Sequence, residues 1–333
     1  MKYAVVGLGA VGSIIGGFIA QTGENIVLIG KKNQIERIKK YGIKIDDVEI
    51  KKNNMILTER FSYLSDVDVV FVCVKSQDTE NVARSINKHL KDKALIVSLQ
   101  NGVRNASILE KITGVKTLSG IILFNAVYNK AGDVSLTMRG GILLEYNRDR
   151  KDMIIEIHKL LKKAGFRVKL IEDINAALWS KLVLNLQIAV TALTGQTIKE
   201  SIGNKTSREL IIATIEEGIQ ITRGSGIKLS ALPYVDPNRM IWVLKTFGFL
   251  SPIISSYVLG LKKEARNSMW QSLSRGKSTE IDYINGEIVK LAKQNGLQAP
   301  INTKLVELIK EVEKEHSMKR FEPYELKKIL KNG

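Results

Sequence analysis

The stretch VVGLGAVGS at residues 5–13 decides the fold of the first half of the chain. It runs from an apolar, strand-like segment into Gly7, Gly9 and Gly12, which have the spacing GxGxxG. After a first strand and at the start of a first helix, this spacing is typical of dinucleotide binding. Gly7 permits a tight turn, Gly9 lets a pyrophosphate approach the backbone, and Gly12 lets helix and strand pack closely. We expect a phosphate at this helix N-terminus, held by Gly7, Leu8, Gly9, Ala10, Val11 and Gly12. A turn that needs its glycines only for packing is the alternative.

Short β-rich segments alternate with helical patterns along the rest of the first half. The predicted strands include 3–7, 25–30, 68–75 and 94–102, with further strands in 118–129, 133–138 and 140–146. The predicted helices between them are 10–22, 33–42 and 78–90. Parallel strands joined by helices indicate an α/β fold with a Rossmann-type, doubly wound sheet.

Helical periodicity dominates after about residue 150. The predicted helices are 152–164, 173–194, 206–224, 278–294 and 301–315. Residues 224–238 contain two of the five prolines and are predicted as a loop, and 239–267 receives no assignment. We therefore predict an α/β domain of residues 1–170, which carries the dinucleotide motif, and an all-α domain of residues 171–333.

The composition is that of an ordinary globular protein, with 44% hydrophobic residues. No run approaches the roughly 18 unbroken apolar residues that span a bilayer, and the opening apolar run lacks the pattern of a secretory signal. Cys73, the one cysteine, lies in a strand-like run and is predicted to be a packed thiol. We expect a cytoplasmic protein with no membrane partner.

The formal net charge is +17. Such a charge could hold nucleic acid, or it could belong to solvated, lysine-rich helices that attract small anionic ligands. The lysines are scattered along the chain and no nucleic-acid-binding motif is present, so we expect no nucleic-acid partner. Three histidines and one cysteine without metal-ligand spacing predict no metal site.

The end of the second strand indicates the cofactor. NAD-binding sites usually place an acid there for the ribose hydroxyls, whereas this chain has Gly30, Lys31 and Lys32. Two cations suit the 2′-phosphate of NADP, although a solvated helix start would look the same.

Lys75 and Asn101 also follow predicted strands, where ligands bind in open α/β sheets. Lys75 is a candidate contact for cofactor phosphate or ribose, and Asn101 for the nicotinamide ribose or substrate.

Lys181 is unusual because it lies in the nearly all-apolar stretch 175–195. Asn185 follows four residues later, on the same helical face. A buried lysine is costly, so we expect both side chains to face a cleft against the first domain. Desolvation lowers a lysine pKa and makes it a better proton donor near neutral pH. A lysine that extends to the surface is the alternative.

A second polar cluster lies in residues 267–286. Ser278 or Thr279 is predicted to cap a helix, with Glu280 in its first turn. Taken alone, Glu280 could equally be a functional residue or a carboxylate that only interacts with the helix dipole. Ser268 taken alone gives no indication of a function.

These motifs together resemble the ketopantoate reductase (2-dehydropantoate 2-reductase) family. The resemblance runs from Met1 to about Val312 and is most specific in TEIDYING, residues 279–286. The other matching motifs are GLGAVG (7–12), VKSQ (74–77), QNG (100–102), LWSKLVLN (178–185) and SMWQ (268–271). It implies an NADP-binding Rossmann domain, residues 1–170, followed by a helical domain for substrate binding and dimerisation, residues 171–333. The second would be like the C-terminal domain of 6-phosphogluconate dehydrogenase.

The resemblance also implies a reaction, the NADPH-dependent reduction of 2-dehydropantoate to (R)-pantoate on the route to coenzyme A. It implies that Lys181 is the general acid and that Glu280 contacts the cofactor and orients this lysine. Asn185 and Ser268 would contact the small 2-oxo acid, and Asn101 would bridge cofactor and substrate. Lys75 and the glycine loop would hold NADPH. A homodimer through the helical domain is compatible with this assignment.

The chain departs from the family pattern at two asparagine positions, where it has Ala189 and Lys199. The stretch 233–263 is also longer than in compact members. These departures leave open a related D-2-hydroxyacid dehydrogenase that reduces a different branched 2-oxo acid. A non-catalytic dinucleotide sensor and a nucleic-acid-binding protein are alternatives of another class.

Overall fold

The structure, a computed structural model, describes residues 1–233, 235–248, 267–315 and 320–331. The chain divides into two compact units, Met1–Ile174 and Asn175–Gly333. The division falls near the boundary predicted at residue 170. The roles assigned to the two units from the sequence stay predictions.

The first unit combines twelve strands with five α-helices. The strands are β1 (Tyr3–Val6), β2 (Ile26–Ile29), β3 (Ile43–Ile45), β4 (Val48–Ile50), β5 (Met55–Thr58), β6 (Val69–Val72), β7 (Leu95–Ser98), β8 (Thr117–Ile122), β9 (Asn125–Lys130), β10 (Asp133–Met138), β11 (Ile142–Glu145) and β12 (Val168–Ile171). The helices are α1 (Ala10–Gln21), α2 (Lys32–Tyr41), α3 (Thr79–Asn87), α4 (Asn105–Thr113) and α5 (Lys151–Lys163).

Eight of these strands form the main sheet in the order β12-β11-β8-β7-β6-β1-β2-β5. The six strands from β8 to β5 run parallel, and β11 pairs antiparallel with β8. Their order is that of the dinucleotide-binding fold, in which the strand order reverses beside β1. The predicted Rossmann-type, doubly wound sheet is confirmed.

Side chains on alternate residues of β1 enter two separate cores. Val5 belongs to the cluster beneath α1 and α5, whereas Ala4 and Val6 belong to the cluster beneath α3 and α4. Both faces of the sheet are therefore covered. This explains why the central strands read as continuous apolar runs. Packing on both sides fixes the ends of β1, β6 and β7, where the candidate ligand contacts lie.

Several elements of the first unit differ from the sequence-based prediction. The β-rich stretch 118–129 is two strands, and β9 joins β10, β3 and β4 in a separate four-stranded sheet. The sequence analysis missed β3, β4, β5, β12 and α4. These strands are only three or four residues long, and β3 and β4 carry exposed charged residues such as Lys44 and Glu49. Such segments lack the apolar run that identifies a buried strand.

The regular structure in the described residues of the second unit is helical, apart from one isolated β-bridge. A 3-10 turn, Ile281–Tyr283, precedes α12. The helices are α6 (Ile174–Asn185), α7 (Gln187–Thr194), α8 (Ile198–Gly203), α9 (Lys205–Gly224), α10 (Pro237–Thr246), α11 (Ser268–Leu273), α12 (Asn285–Gln294), α13 (Pro300–Glu315) and α14 (Pro323–Lys331). The predicted all-α second domain is confirmed.

Two long helices predicted here are wrong in detail. The stretch 173–194 is interrupted at Leu186, whose N–H bonds to the Val183 carbonyl at 3.2 Å, one residue short of the α-helical pattern. The stretch 278–294 begins with the 3-10 turn, and its α-helix starts only at Asn285. Thr279 Oγ1 accepts the Ile281 N–H at 3.2 Å, but the residue at the cap of this short turn is Glu280, so the predicted cap at Ser278 or Thr279 is wrong. Glu280 precedes this turn and does not lie in a helical first turn.

The loop predicted at 224–238 ends earlier than expected, because α10 begins at Pro237. Proline suits the first helical position, and Asp236 Oδ1 accepts the Arg239 N–H at 2.9 Å. The unassigned stretch 239–267 therefore starts inside α10, and most of its remainder, 249–266, lies outside the described residues.

One stretch of the described chain, Ile174–Thr194, is long and apolar enough by composition to cross a membrane. It comprises α6 and α7, and 72% of its most apolar window is buried inside the structure. A core helix meets the same criterion, and burial identifies this stretch as part of the core of the helical unit. The absence of a membrane partner stays a prediction.

Candidate active site

The glycine loop between β1 and α1 contains glycines required for two different reasons. Gly7 has a φ of +98°, and a Cβ there would lie 2.6 Å from Val74 Cγ1. A Cβ on Gly12 would lie 1.9 Å from the Gly7 carbonyl oxygen. The turn and the close packing of α1 against the loop therefore exclude side chains at both positions. The fold of the protein is therefore sufficient to explain why positions 7 and 12 are glycines.

Gly9 is not explained by contacts within the protein. Its φ of −74° is open to any residue, and a Cβ there would meet no atom within 4 Å. Gly9 is the N-cap residue of α1, and having no side chain it cannot form the usual capping hydrogen bond. Backbone N–H groups at a helix start can bind a phosphate that approaches closely only where no side chain intervenes. The loop therefore fits a dinucleotide pyrophosphate.

The end of β2 presents two cations, as predicted. Lys31 and Lys32 are exposed, and Lys32 Nζ lies 4.0 Å from Glu36 Oε1. A side chain at Gly30 would collide with its neighbours, because its Cβ would lie 2.8 Å from Leu8 Cδ1. An acid that binds ribose hydroxyls does not fit at position 30 without displacing that leucine.

Gln34 connects this strand end to the glycine loop, a role that the sequence analysis missed. Its Nε2 donates to the Leu8 carbonyl at 2.8 Å, and its Oε1 accepts the Lys31 N–H at 2.9 Å. The side chain thus fixes the start of α2 against the loop. Only the tertiary contact with Leu8 identifies it, since a glutamine in the first turn of a helix is unremarkable in sequence.

Lys75 and Asn101 follow β6 and β7, which are neighbouring parallel strands. Both side chains are half-buried. Ser76 Oγ donates to the Asn101 carbonyl at 2.8 Å, which ties the two strand ends together. The structure therefore brings these two predicted contacts to one edge of the sheet, and β6, which precedes Lys75, is the neighbour of β1.

Lys181 lies on α6 of the helical unit and is half-buried. Burial lowers the pKa of its ammonium to about 8, and the nearby negative charge of Glu280 opposes this shift by raising it. The structure thus places Lys181 and Glu280 within electrostatic range. Asn185, also half-buried, follows one turn later on α6. A lysine with a pKa near 8 can donate a proton at physiological pH.

Hydrogen bonds fix α6 on both sides of Lys181. The buried Ser180 hydroxyl accepts the Ser230 N–H at 2.8 Å, which attaches the loop between α9 and α10 to α6. Beyond the helix end, the Leu186 carbonyl accepts from Asn285 Nδ2 at 3.1 Å. Asn285 belongs to the TEIDYING segment that also carries Glu280. The contact therefore joins the chain segments of both predicted catalytic residues.

The buried carboxylate of Glu217 is linked to Asn285 through the side chain of Asn302. Asn285 Nδ2 also donates to Asn302 Oδ1 at 2.9 Å, and Asn302 Nδ2 donates to Glu217 Oε1 at 2.7 Å. Glu217 further accepts the N–H groups of Ile301 and Asn302, at 2.9 and 2.8 Å, in the first turn of α13. A carboxylate at a helix N-terminus is electrostatically favoured. The sequence analysis missed this network, whose members lie far apart along the chain.

Ser268 is exposed at the first position of α11. Its neighbour Asn267, not predicted, donates from Nδ2 to Thr191 Oγ1 at 2.6 Å and to the Ile188 carbonyl at 3.3 Å. These bonds attach the start of α11 to α7. Within the helical unit, the helix that begins with Ser268 is therefore held against α7, which directly follows the helix bearing Lys181.

The two departures from the family pattern have different surroundings. Ala189 is fully buried in α7, whereas Lys199 is half-buried in α8. Position 189 therefore offers no polar group to a ligand.

Cys73 follows β6, and its half-buried side chain packs against the core, where burial raises the pKa of its thiol. This fits the predicted packed thiol. In the part of the chain that the structure describes, no three His, Cys, Asp or Glu side chains cluster as a metal site would require.

Comparison with known proteins agrees with this architecture over nearly the whole chain. The family model described as "Ketopantoate reductase PanE/ApbA" matches residues 3–149, and its C-terminal counterpart matches residues 173–313. The chain belongs to the ketopantoate reductase family. It is therefore an oxidoreductase acting on a CH–OH group with a nicotinamide dinucleotide cofactor.

Curated relatives of this family align along almost their full length. A 2-dehydropantoate 2-reductase of Pyrococcus horikoshii is 30% identical, over 93% of this chain and 97% of the relative. One of Archaeoglobus fulgidus is also 30% identical, over 94% and 98% of the two chains. A crystal structure of a ketopantoate reductase from Ralstonia eutropha has a TM-score of 0.81 at 26% identity, covering 95% of this chain and 99% of that one.

Proposed function

We propose that the protein catalyses NADPH-dependent reduction of 2-dehydropantoate to (R)-pantoate, with Lys181 as the general acid. The observation that supports this most is Lys181 itself, a desolvated lysine whose pKa lies near 8 beside Glu280. Family membership and the names of the curated relatives support the substrate.

The proton transfer follows from the chemistry of a ketone. When bound, the reduced cofactor supplies the hydride that reaches the substrate's keto carbon. The keto oxygen gains negative charge in this step, and the Lys181 ammonium stabilises that charge and then donates its proton. Glu280 keeps Lys181 more protonated than burial alone would allow. Asn185 and Ser268 contact the substrate in this proposal.

The preference for NADPH rests on the end of β2. Exposed Lys31 and Lys32 supply positive charge for a 2′-phosphate, and the crowded Gly30 position disfavours an acid for a ribose. Lys75 and the glycine loop hold the cofactor in this proposal, and Asn101 contacts both cofactor and substrate.

A related 2-hydroxyacid dehydrogenase is the second candidate, because Ala189 offers no polar contact where the family pattern has an asparagine. A structure of D-mandelate dehydrogenase with NADH and anilino(oxo)acetate has a TM-score of 0.79 at 23% identity, a likeness in fold. A pocket with fewer polar contacts favours a larger or less polar 2-oxo acid.

The proposal extends to the setting of the enzyme. We place it in the cytoplasm, acting on a small 2-oxo acid without nucleic acid or membrane. A homodimer is included by analogy with a dimeric ketopantoate reductase of Staphylococcus aureus.

An absorbance assay at 340 nm with NADPH and NADH and a panel of branched and aromatic 2-oxo acids tests the proposal. The highest kcat/KM is expected with NADPH and 2-dehydropantoate. A higher value with another 2-oxo acid supports the second candidate, and no cofactor oxidation with any acid refutes both.

A further inference from the structure

We propose that four buried polar side chains, Ser76, Thr79, Gln100 and Asn105, position Lys75 and Asn101 for cofactor binding. We call this group the amide–hydroxyl clasp. The proposal rests on the proposed function, because it assumes that Lys75 and Asn101 contact the cofactor. Its members are positioning residues, since they act through these two neighbours.

The members of the clasp are deeply buried between β6, β7 and the helices that follow them. Their exposed fractions are 2% for Ser76, 0% for Thr79, 7% for Gln100 and 4% for Asn105. Buried polar groups carry a large cost unless hydrogen bonds satisfy them. Four such groups together at the ligand-binding edge of a sheet therefore require a complete set of partners.

Thr79 lies at the centre of this set. Its Oγ1 accepts from Gln100 Nε2 at 2.7 Å and donates to Asn105 Oδ1 at 2.8 Å. Asn105 Nδ2 donates in turn to Ser76 Oγ at 3.2 Å. Thr79 and Asn105 are the first residues of α3 and α4. The clasp thus joins the starts of two helices to the ends of two strands.

The clasp holds two backbone carbonyls beside the proposed ligand contacts. Gln100 Nε2 donates to the Val74 carbonyl at 3.1 Å, and that carbonyl belongs to the peptide preceding Lys75. The Asn101 carbonyl accepts from both Ser76 Oγ, at 2.8 Å, and Asn105 Nδ2. Fixing a peptide plane fixes the direction in which the adjacent side chain leaves the backbone. The backbone that carries each of the two side chains is therefore held in place before any ligand binds.

Preorganisation of this kind lowers the cost of binding, because fewer groups have to be ordered when the ligand arrives. Loss of the Thr79 hydroxyl would leave Asn105 Oδ1 without its donor and Gln100 Nε2 without one acceptor. The two strand ends would then adopt several arrangements. We expect weaker binding of NADPH and a higher KM for the 2-oxo acid, with a smaller effect on kcat, since the proposed general acid belongs to the other unit of the chain.

The test compares Thr79→Val with Thr113→Val, a matched control in the same unit. The Thr113 hydroxyl, also buried, donates to the Leu109 carbonyl at 2.7 Å and accepts the Val115 N–H at 3.2 Å. Both substitutions thus remove a hydroxyl that donates one bond and accepts one. The dissociation constant of NADPH is measured by fluorescence titration of each purified full-length variant, beside its melting temperature.

Thr79→Val is expected to raise the NADPH dissociation constant about tenfold, Thr113→Val less than about twofold, and Thr79→Ser to restore near-normal binding. Equal dissociation constants for the two valine variants would overturn the proposal, because the clasp would then be purely structural. Should Thr79→Val fail to fold, Ser76→Ala takes its place, and unchanged NADPH binding there overturns the proposal. Failure of the proposed function is a separate result, in which the wild-type protein itself binds no NADPH.

Discussion

The N-terminal unit places its candidate ligand contacts on backbone turns at strand ends, whereas the helical unit places them on side chains of separate elements. In the first unit, Gly9 and Asn101 follow strands of one sheet. In the second, Lys181, Ser268 and Glu280 come from α6, α11 and the residue before a 3-10 turn. Backbone geometry suits a cofactor whose phosphates bind N–H groups. Proton transfer needs a titratable side chain with a pKa near the working pH, and in the helical unit burial lowers the pKa of Lys181 toward that range.

Replacing Lys181 breaks the chemistry of the helical unit while leaving the proposed cofactor contacts of the first unit intact. Lys181→Met is expected to lower kcat by about 10²–10⁴-fold, the usual contribution of a general acid. The NADPH dissociation constant should stay within about twofold of wild type. Steady-state kinetics and fluorescence titration measure both, with Lys293→Met as a control at an exposed lysine in the same unit. Near-normal kcat in Lys181→Met would remove the lysine from the mechanism.

Two alanine substitutions in the glycine loop separate a glycine required by the fold from one required by a ligand. Gly12→Ala forces a Cβ to within 1.9 Å of a carbonyl oxygen, so it should lower the free energy of unfolding by about 3 kcal/mol. Gly9→Ala meets open space and should cost less than about 1 kcal/mol. It should nevertheless weaken NADPH binding about tenfold or more.

Denaturant unfolding without ligand and NADPH titration give the two quantities. Normal NADPH binding by Gly9→Ala would contradict the role of the loop as a pyrophosphate site.

Reversing the charge at the end of β2 sharpens the assignment of the cofactor. The double variant Lys31→Asp, Lys32→Asp should lower the preference for NADPH over NADH by about 10–100-fold, because a charged hydrogen-bond donor contributes about 1.5–3 kcal/mol. The ratio of kcat/KM for the two cofactors measures it. Lys39→Asp with Lys40→Asp, in the last turn of α2, makes the same charge change away from the strand end. A similar loss of NADPH preference in both double variants would mean that the net charge of the protein, and not the position of Lys31 and Lys32, sets the preference.

The smallest expected effect concerns the coupling between Glu280 and Lys181. Protonated Lys181 is the active form, so kcat should fall as the pH rises through its pKa of about 8. The Glu280 charge raises this pKa, so Glu280→Gln should move the alkaline decline to lower pH. A pH profile of kcat measures the shift, and Glu307→Gln on the exposed face of α13 should leave the profile unchanged. A decline that stays in place or moves to higher pH would show that the two groups are not coupled in this way.

The Rossmann-type sheet of the first unit could be predicted because its apolar strands and glycine turn are visible in short stretches of sequence. The apolar β1 and β6, and the glycines that follow β1, depend on residues adjacent in sequence. Lys181 could be recognised because a charge in an apolar helix is an anomaly visible in sequence alone. The short, charged β3 and β4 gave no such signal, since their pairing with other strands determines them.

The supporting contacts could not be predicted, because their partners lie far along the chain. Asn267 bonds to Thr191, 76 residues away, and Asn285 bonds to Leu186, 99 residues away. The break at Leu186 has the same origin, since an apolar sequence with strong helical periodicity continues through it.

The most direct test of the account is the ionisation of Lys181 itself. NMR titration of protein carrying ¹³C at lysine Cε, with the signal assigned by comparison with Lys181→Arg, gives its pKa in the folded enzyme. The account predicts one lysine that titrates near pH 8 and is missing from the arginine variant. If the Lys181 signal titrates above about pH 10, like an ordinary solvated lysine, the side chain is not the desolvated proton donor that the proposed reaction requires.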